Sequence, residues 1–87
     1  MKQHAHVKEV VDGDTFWTKN KIRLARVYAP ELNTTNGSKA KKKLENLILR
    51  KDIVYEQVGS SYDRIVAEVW HKGININDVM INFIVTL

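Results

Sequence analysis

Two arginines and two loop carboxylates are the residues of this chain whose types and spacing could act on a phosphate ester. Arg23 and Arg64 each carry a planar guanidinium that matches phosphate oxygens and stays charged at any relevant pH. Two such groups can stabilise the extra negative charge of a pentacoordinate phosphoryl transition state. Asp14 follows a glycine at the mouth of a predicted hairpin, where its carboxylate can bind a hard cation. Glu31 directly follows Pro30, and it could accept a proton from a water beside that cation.

Each of these residues also has an ordinary structural explanation. An Asp-Gly pair is a common hairpin turn without a metal, and a strand arginine is usually solvated or part of a simple ion pair. Arg26 is expected to be such an arginine, either solvated or in an ordinary ion pair, with no catalytic role. The functional interpretation therefore depends on the whole set, which is D-G-D-T at 12–15, I-R-L-A-R-V at 22–27, A-P-E at 29–31 and Y-D-R at 62–64.

Composition is that of one small basic domain. The chain has 87 residues, 44% of them hydrophobic, a formal net charge of +4 and no cysteine. This length predicts a single domain over 1–87 with a small core, and we expect a monomer. The lack of cysteine excludes disulfides and thiolate metal sites. The positive charge favours polyanions such as nucleic acids, although many small basic proteins bind none.

The first residues give an expectation about location. No run approaches the roughly 18 apolar residues of a membrane span, and the N-terminus lacks the apolar segment of a signal peptide. As written, the protein is expected to stay in the cytoplasm without a membrane partner, while secretion remains open if the N-terminus has been trimmed. The H-x-H of His4 and His6 is expected to lie in a frayed terminus and to bind no metal.

Turn and alternation patterns predict five strands and two helices. The strands are predicted at 7–12, 15–18, 22–28, 52–58 and 65–71. Apolar residues at helical spacing predict a helix over 38–50 with Ser38 as its N-cap, and a second helix capped by Asn75 or Asn77. This order suits a mostly β member of the α+β class, a five-stranded OB-fold Greek-key barrel with two helices packed against it.

Several aromatic and basic residues are candidates for contacts with nucleic acid. Tyr62 borders a turn and precedes Arg64, so it is the best candidate for stacking on a base. Trp17 and Trp70 lie in predicted strands and are expected to be buried or half-buried. A lysine cluster on the first helix forms either a solvated face, the commoner case, or a phosphate-binding surface; its members are Lys39, Lys41, Lys42 and Lys43.

In this order and spacing, the four motifs resemble the staphylococcal-nuclease-like (thermonuclease) family. That family carries D-G-D-T in its first hairpin, R-L-x-x-V-D-x-P-E in its third strand and Y-G-R in a later turn. The corresponding segments here begin at Asp12, Arg23 and Tyr62, and the resemblance covers nearly the whole chain. It implies an OB-fold nuclease, a hydrolase that cleaves DNA and RNA with Ca²⁺.

The resemblance also implies roles for individual residues. Asp14 would bind the calcium through its carboxylate, and Ala29 through its backbone carbonyl. Glu31 would act on the attacking water. The residues implied for the substrate are Arg23 and Arg64, which would hold the scissile phosphate, and Tyr62, which would line the nucleotide pocket.

Two positions depart from the family pattern. Tyr28 stands where the family has its second metal carboxylate, and a neutral phenol is a poor ligand for a hard cation. Asp63 replaces the glycine before Arg64 and adds negative charge beside the expected phosphate site. We therefore expect weak Ca²⁺ affinity and a slow reaction. The leading hypothesis is a weakened Ca²⁺-dependent nuclease acting on DNA and/or RNA, and the alternative is a catalytically impaired nucleic-acid-binding module on the same fold.

Overall fold

The computed structural model describes residues 1–87, which form seven strands and two helices. The strands are β1 (Lys2–His6), β2 (Glu9–Asp12), β3 (Thr15–Trp17), β4 (Lys21–Leu24), β5 (Asp52–Ser61), β6 (Arg64–His71) and β7 (Ile74–Asn75). The helices are α1 (Thr35–Ile48) and α2 (Ile76–Ile84). Neither helix is long and apolar enough to cross a membrane.

All strands belong to one sheet in the order β1-β5-β6-β4-β3-β2, with β7 paired to β6. Every pairing is antiparallel except that of β4 with β6, which is parallel. The predicted mixed architecture with two helices is confirmed. The five-stranded barrel is not, because the ladder has seven strands and its outer strands β1 and β2 do not pair with each other.

The N-terminal segment changes its pairing partner at Val7 and Lys8. Val7 exchanges backbone hydrogen bonds with the end of the segment before β5, donating to Lys51 O and accepting from Arg50 N, each at 3.0 Å. The next amide, of Lys8, donates instead to Trp17 O at 2.8 Å. The chain therefore pairs beside β5 up to Val7 and beside β3 from Lys8 onward. As a result, a separate strand, β1, precedes the strand that was predicted at 7–12.

The expectation of a frayed N-terminus is wrong. Residues Lys2 to His6 pair with β5, from Lys2 opposite Glu56 to His6 opposite Asp52. The His6 ring nitrogen Nδ1 lies 2.8 Å from the Asp52 carboxylate. This strand has almost no apolar residue, so the alternation of buried and exposed side chains that identifies a strand in the sequence is absent.

The core lies between the sheet and the two helices. The buried residues of α1 recur at the helical spacing. Ala40, Leu44 and Ile48 belong to the core, whereas Gly37 lies against the loop at Glu31 and Leu32. The helix begins earlier than predicted, because the N-cap is Thr34 and not Ser38. The Thr34 hydroxyl oxygen accepts a hydrogen bond from Gly37 N at 3.0 Å.

A buried asparagine joins α2 to the sheet. Asn75 caps the helix, as one of the two predicted candidates, and accepts a hydrogen bond from Asp78 N at 2.8 Å. The other candidate, Asn77, is completely buried. Its side-chain amide donates to Ala25 O at 2.9 Å and to Ala67 O at 3.0 Å, and its Oδ1 accepts from Val69 N at 2.8 Å.

Replacement of Asn77 by alanine is expected to destabilise the fold by about 2 kcal/mol or more, because Ala25 O and Val69 N lose this partner and each unsatisfied buried group costs roughly 1–3 kcal/mol. Ala67 O keeps the hydrogen bond that it accepts from Ala25 N at 2.9 Å. Urea denaturation followed by circular dichroism measures the loss. Asn82, an exposed residue of the same helix, gives the control, and Asn82→Ala should change the free energy of unfolding by less than about 0.5 kcal/mol. Equal stabilities of the two variants would contradict the structural role of Asn77.

Candidate active site

The turn between β2 and β3 is held close to two other segments by a glycine. A Cβ atom at Gly13 would lie 2.6 Å from the Ala40 Cβ of α1 and 2.9 Å from the Ala29 Cβ. Only glycine allows this approach. The turn, the start of α1 and the segment after β4 therefore meet at one place.

Asp14 is fixed at that meeting point by two hydrogen bonds. Its Oδ1 accepts from the Thr15 hydroxyl at 2.8 Å, and its Oδ2 accepts from Ala29 N at 3.1 Å. The same Oδ2 lies 3.7 Å from Nη2 of Arg23, and the Asp14 side chain is only 13% exposed. The structure thus brings together three of the predicted site residues, Asp14, Ala29 and Arg23.

Arg23 is held by the backbone that follows β4. Its Nη1 donates to Leu24 O at 3.3 Å and its Nη2 to Val27 O at 3.0 Å. This is possible because β4 ends at Leu24 and not at 28 as predicted, and Arg26 takes a positive φ of 66° that turns the chain around the guanidinium. The guanidinium is therefore immobilised before any substrate binds, with its side chain 18% exposed.

Arg64 lies at the start of β6, the strand beside β4. Arg23 is in register with Val66, so Arg64 is two residues away from it along β6 and shares its face of the sheet. Strand spacing and rise put the two arginine Cα atoms roughly 8 Å apart. Arg64 forms no ion pair; it only donates weakly to Ser61, with Nη2 3.3 Å from the hydroxyl oxygen. Its guanidinium is available to an external anion.

Glu31 is anchored through its backbone, while its side chain is exposed. The Glu31 carbonyl accepts from the Thr34 hydroxyl at 2.6 Å and from Thr34 N at 3.1 Å. The helix residue Gly37 approaches the same carbonyl so closely that a Cβ there would lie 1.8 Å from its oxygen. The loop is thus packed on the first turn of α1, and the Glu31 carboxylate is left without an ion pair.

Two tyrosines of the region face solvent. Tyr28, which replaces a carboxylate expected from the family pattern, is 77% exposed, and its ring centre lies 5.4 Å from the Arg23 guanidinium carbon. Tyr62 is 98% exposed at the tip of the β5–β6 hairpin, with a positive φ of 58°. No contact joins Tyr62 to Asp14 or Arg23, so the structure does not bring this predicted residue into the cluster.

A second carboxylate of the turn was missed as a site residue in the sequence. The half-buried Asp12 accepts a hydrogen bond from Asp14 N at 3.1 Å. Burial raises the pKa of the Asp12 carboxyl above its ordinary value, and the neighbouring Asp14 side chain raises it further. The paired aspartates of the D-G-D-T motif were the available signal. Nowhere in the chain do three or more His, Cys, Asp or Glu side chains converge on one metal position.

Arg26 has the structural role expected for it. Its guanidinium donates to both Glu68 oxygens, at 2.9 and 2.7 Å, and to Asp78 Oδ1 at 3.1 Å. The hydrogen bonds from Arg26 hold the pKa of the Glu68 carboxyl below its ordinary value. This network ties the bend after β4 to β6 and α2, and so supports the conformation that holds Arg23.

The remaining candidates lie outside the cluster. Trp70 is half-buried as expected, whereas Trp17 is exposed. In the lysine cluster, Lys39 and Lys42 are exposed, and Lys43 Nζ lies 5.5 Å from the ring centre of Phe83 on α2. The cluster therefore forms a surface along α1 that no acidic side chain neutralises through an ion pair.

Comparison with known proteins agrees with the motif resemblance. The family model described as staphylococcal nuclease homologue matches residues 21–83, from β4 to the end of α2. A Haemophilus influenzae protein named an uncharacterized endonuclease is 36% identical over 87 residues, covering 92% of this chain and 49% of that protein. This chain therefore spans about half the length of the relative it matches.

Proposed function

Because this chain belongs to the staphylococcal nuclease homologue family, we propose that it is a nuclease that hydrolyses phosphodiester bonds of DNA and/or RNA as a monomer. The observation that carries the proposal is the cluster of Asp14, Ala29 and Arg23, with Arg64 on the same face of the adjacent strand. A carboxylate beside one guanidinium, with a second guanidinium on the same face of the sheet, suits an anionic substrate whose negative charge increases in the transition state.

The two arginines divide the work of binding the phosphate. Arg23 is preorganised by the carbonyls of Leu24 and Val27, so little side-chain entropy is lost when a phosphate binds. Arg64 has no carboxylate partner, so no acidic side chain competes with the substrate phosphate for its guanidinium. Together they would hold two non-bridging oxygens and stabilise the added charge of the pentacoordinate state.

Glu31 is proposed as the general base. Its carboxylate is exposed and without an ion pair, so a water molecule can approach it and give up a proton. Its backbone is fixed by Thr34 and Gly37, which limits the range of positions that the carboxylate can reach. The proposed general base therefore lies two residues after Ala29, on a loop whose backbone is fixed against α1.

The donor chemistry at Asp14 and Ala29 fits a hard cation, for which we propose Ca²⁺. The Ala29 amide donates to the Asp14 carboxylate at 3.1 Å, so a carboxylate and a main-chain segment with its carbonyl lie side by side. Carboxylate and carbonyl oxygens are the ligands that Ca²⁺ prefers, but it takes about 6–8 of them, so this pair supplies only part of the shell. When bound, the ion would polarise the phosphate.

Substitution of Tyr28 by aspartate is expected to raise Ca²⁺ affinity by roughly tenfold, because affinity at oxygen sites rises with the number of charged ligands. Tyr28 is exposed beside Arg23, so the change removes no core packing. Calorimetric Ca²⁺ titration measures the effect. Tyr28→Asn is the matched control, since it has the same size as aspartate without the charge. An equal gain in both variants would show that removal of the ring, and not the new carboxylate, is responsible.

The function is tested with purified protein, single-stranded DNA or RNA, and Ca²⁺, with and without a chelator. The proposal expects new fragments that appear only when Ca²⁺ is free. Intact substrate under all conditions, with the protein folded by circular dichroism, would contradict nuclease activity.

The second candidate is a nucleic-acid-binding module without catalysis. Tyr28 favours it, because a phenol occupies the position of a metal carboxylate and presents an exposed ring beside Arg23. Aromatic rings next to cationic groups bind single strands through stacking and phosphate contacts. Salt-sensitive binding without chelator-sensitive cleavage would select this function.

A further inference from the structure

A pocket lined mostly by polar residues lies at the end of the sheet opposite to Asp14. It has a volume of about 330 Å³. Asp14 comes directly before β3, at one end of that strand. The turn at 18–20, which borders the pocket, follows β3 at its other end. Its other wall is β1, and its floor includes Tyr55 of β5. The pocket and the candidate active site therefore share no residue.

The change of partner at Val7 and Lys8 creates this pocket. Residues before Val7 stay with β5, and residues after Lys8 follow β3, so the two halves of the sheet separate on the N-terminal side of the bend. β1 is the outermost strand, and one of its edges has no neighbour. The pocket opens along this free edge, so consecutive residues of β1 line it although their side chains point to opposite faces of the sheet. The free backbone N–H groups of the edge are potential hydrogen-bond donors.

The lining chemistry suits an anion. Two lysines, Lys8 and Lys19, and two histidines, His4 and His6, are among the residues that line the pocket, and no aspartate or glutamate is. The nearby Asp52 carboxylate is 2.8 Å from His6 Nδ1, so it orients that ring from outside the lining.

Two buried hydroxyl groups show that the pocket wall is ordered. Tyr55 is only 5% exposed, and its hydroxyl donates to Gln3 Oε1 at 3.3 Å. Thr18 is 4% exposed, and its hydroxyl donates to Asn20 O at 3.1 Å. The volume is near the lower limit of about 300 Å³ for small-molecule sites. A ligand no larger than one nucleotide would fill it.

We propose that this pocket binds a phosphate group, with Lys8 and Lys19 as its principal charged contacts. The phosphate can belong either to a free mononucleotide or to a distal part of a nucleic-acid strand. The site is independent of the proposed nuclease function, because binding there needs neither Arg23 nor a metal.

The test is titration of the whole chain with inorganic phosphate and with a mononucleotide at constant pH and ionic strength, followed by amide NMR. Saturable shifts are expected at residues 3–8 and 18–20. The pocket variant Lys8→Gln with Lys19→Gln should weaken binding roughly tenfold, since two charged contacts are lost. The control Lys51→Gln with Lys72→Gln removes the same charge from two exposed lysines outside the pocket and should leave affinity unchanged. Absence of saturable shifts, or equal weakening in the control, would overturn the proposal.

Single strands of increasing length identify the source of the phosphate. If the pocket variant weakens binding of long strands but not of a dinucleotide, the phosphate belongs to the strand. If it weakens only mononucleotide binding, the ligand is a free nucleotide. Either result supports a phosphate site, and both are read from binding, so loss of cleavage activity would not affect the conclusion.

Discussion

Arg23→Ala is expected to lower the rate of phosphodiester cleavage by about 10³-fold, the cost typical of losing one preorganised group that stabilises transition-state charge. The effect should appear in kcat more than in KM, because the guanidinium is already held by the carbonyls of Leu24 and Val27 and acts most strongly on the added charge. Single-turnover kinetics with a short single strand measures it. Arg64→Ala should give a loss of similar size on an unchanged fold.

Two further variants distinguish catalysis from general charge. Arg23→Lys keeps the positive charge but lacks the planar fork, so most of the activity should still be lost. Arg50→Ala removes an exposed arginine at the end of the α1 segment and should retain wild-type kinetics. If Arg50→Ala and Arg23→Ala lost the same activity, the arginines would act only through net charge, and the proposed site would be wrong.

Gly37→Ala is expected to destabilise the protein by about 3 kcal/mol and to reduce activity, although alanine is favoured over glycine in helices by about 1 kcal/mol. The reason is steric, because the new Cβ would lie 1.8 Å from Glu31 O and 2.9 Å from Leu32 Cα. The loop must move away from α1, which also disturbs the Thr34 cap. Denaturation and cleavage assays on one preparation measure both effects.

The neighbouring residue gives the control for that experiment. Ser38 is exposed, and its hydroxyl makes only a 3.5 Å contact with Leu32 O. Ser38→Ala should therefore leave both stability and activity close to those of the unchanged protein. A stable and fully active Gly37→Ala variant would show that the position of Glu31 does not depend on its packing against α1.

The sequence predicted the parts of the fold that have regular apolar spacing. Alternation predicted a strand at 22–28, and in β4 Ile22 and Leu24 are buried on one face while Arg23 lies on the other. The buried stripe of α1 followed from its apolar spacing, and the cap of α2 is Asn75, one of the two predicted candidates. These features depend on neighbours along the chain, which a sequence displays directly.

The missed features depend on distant partners or on unusual backbone. β1 is polar and exists because β5 offers an edge, which no local pattern reveals. The end of β4 at Leu24 is fixed by a positive φ at Arg26, a residue with no preference for that conformation, which is compensated by ion pairs to Glu68 and Asp78. That bend places the Val27 carbonyl where it accepts a hydrogen bond from Arg23. The sequence therefore indicated Arg23 as a site residue, but it did not indicate the backbone carbonyl that holds its side chain.

The parallel pairing of β4 with β6 has a consequence for folding. Arg23 and Arg64 lie about 40 residues apart in the chain, and only this non-local pairing brings them together, so the loop between them must close first. Antiparallel hairpins such as β3–β4 can form early and locally, yet none of them contains both arginines. Recovery of phosphate binding at Arg23 and Arg64 during refolding should therefore follow the slowest, global step, and a chain that has formed only its hairpins will not cleave a phosphodiester.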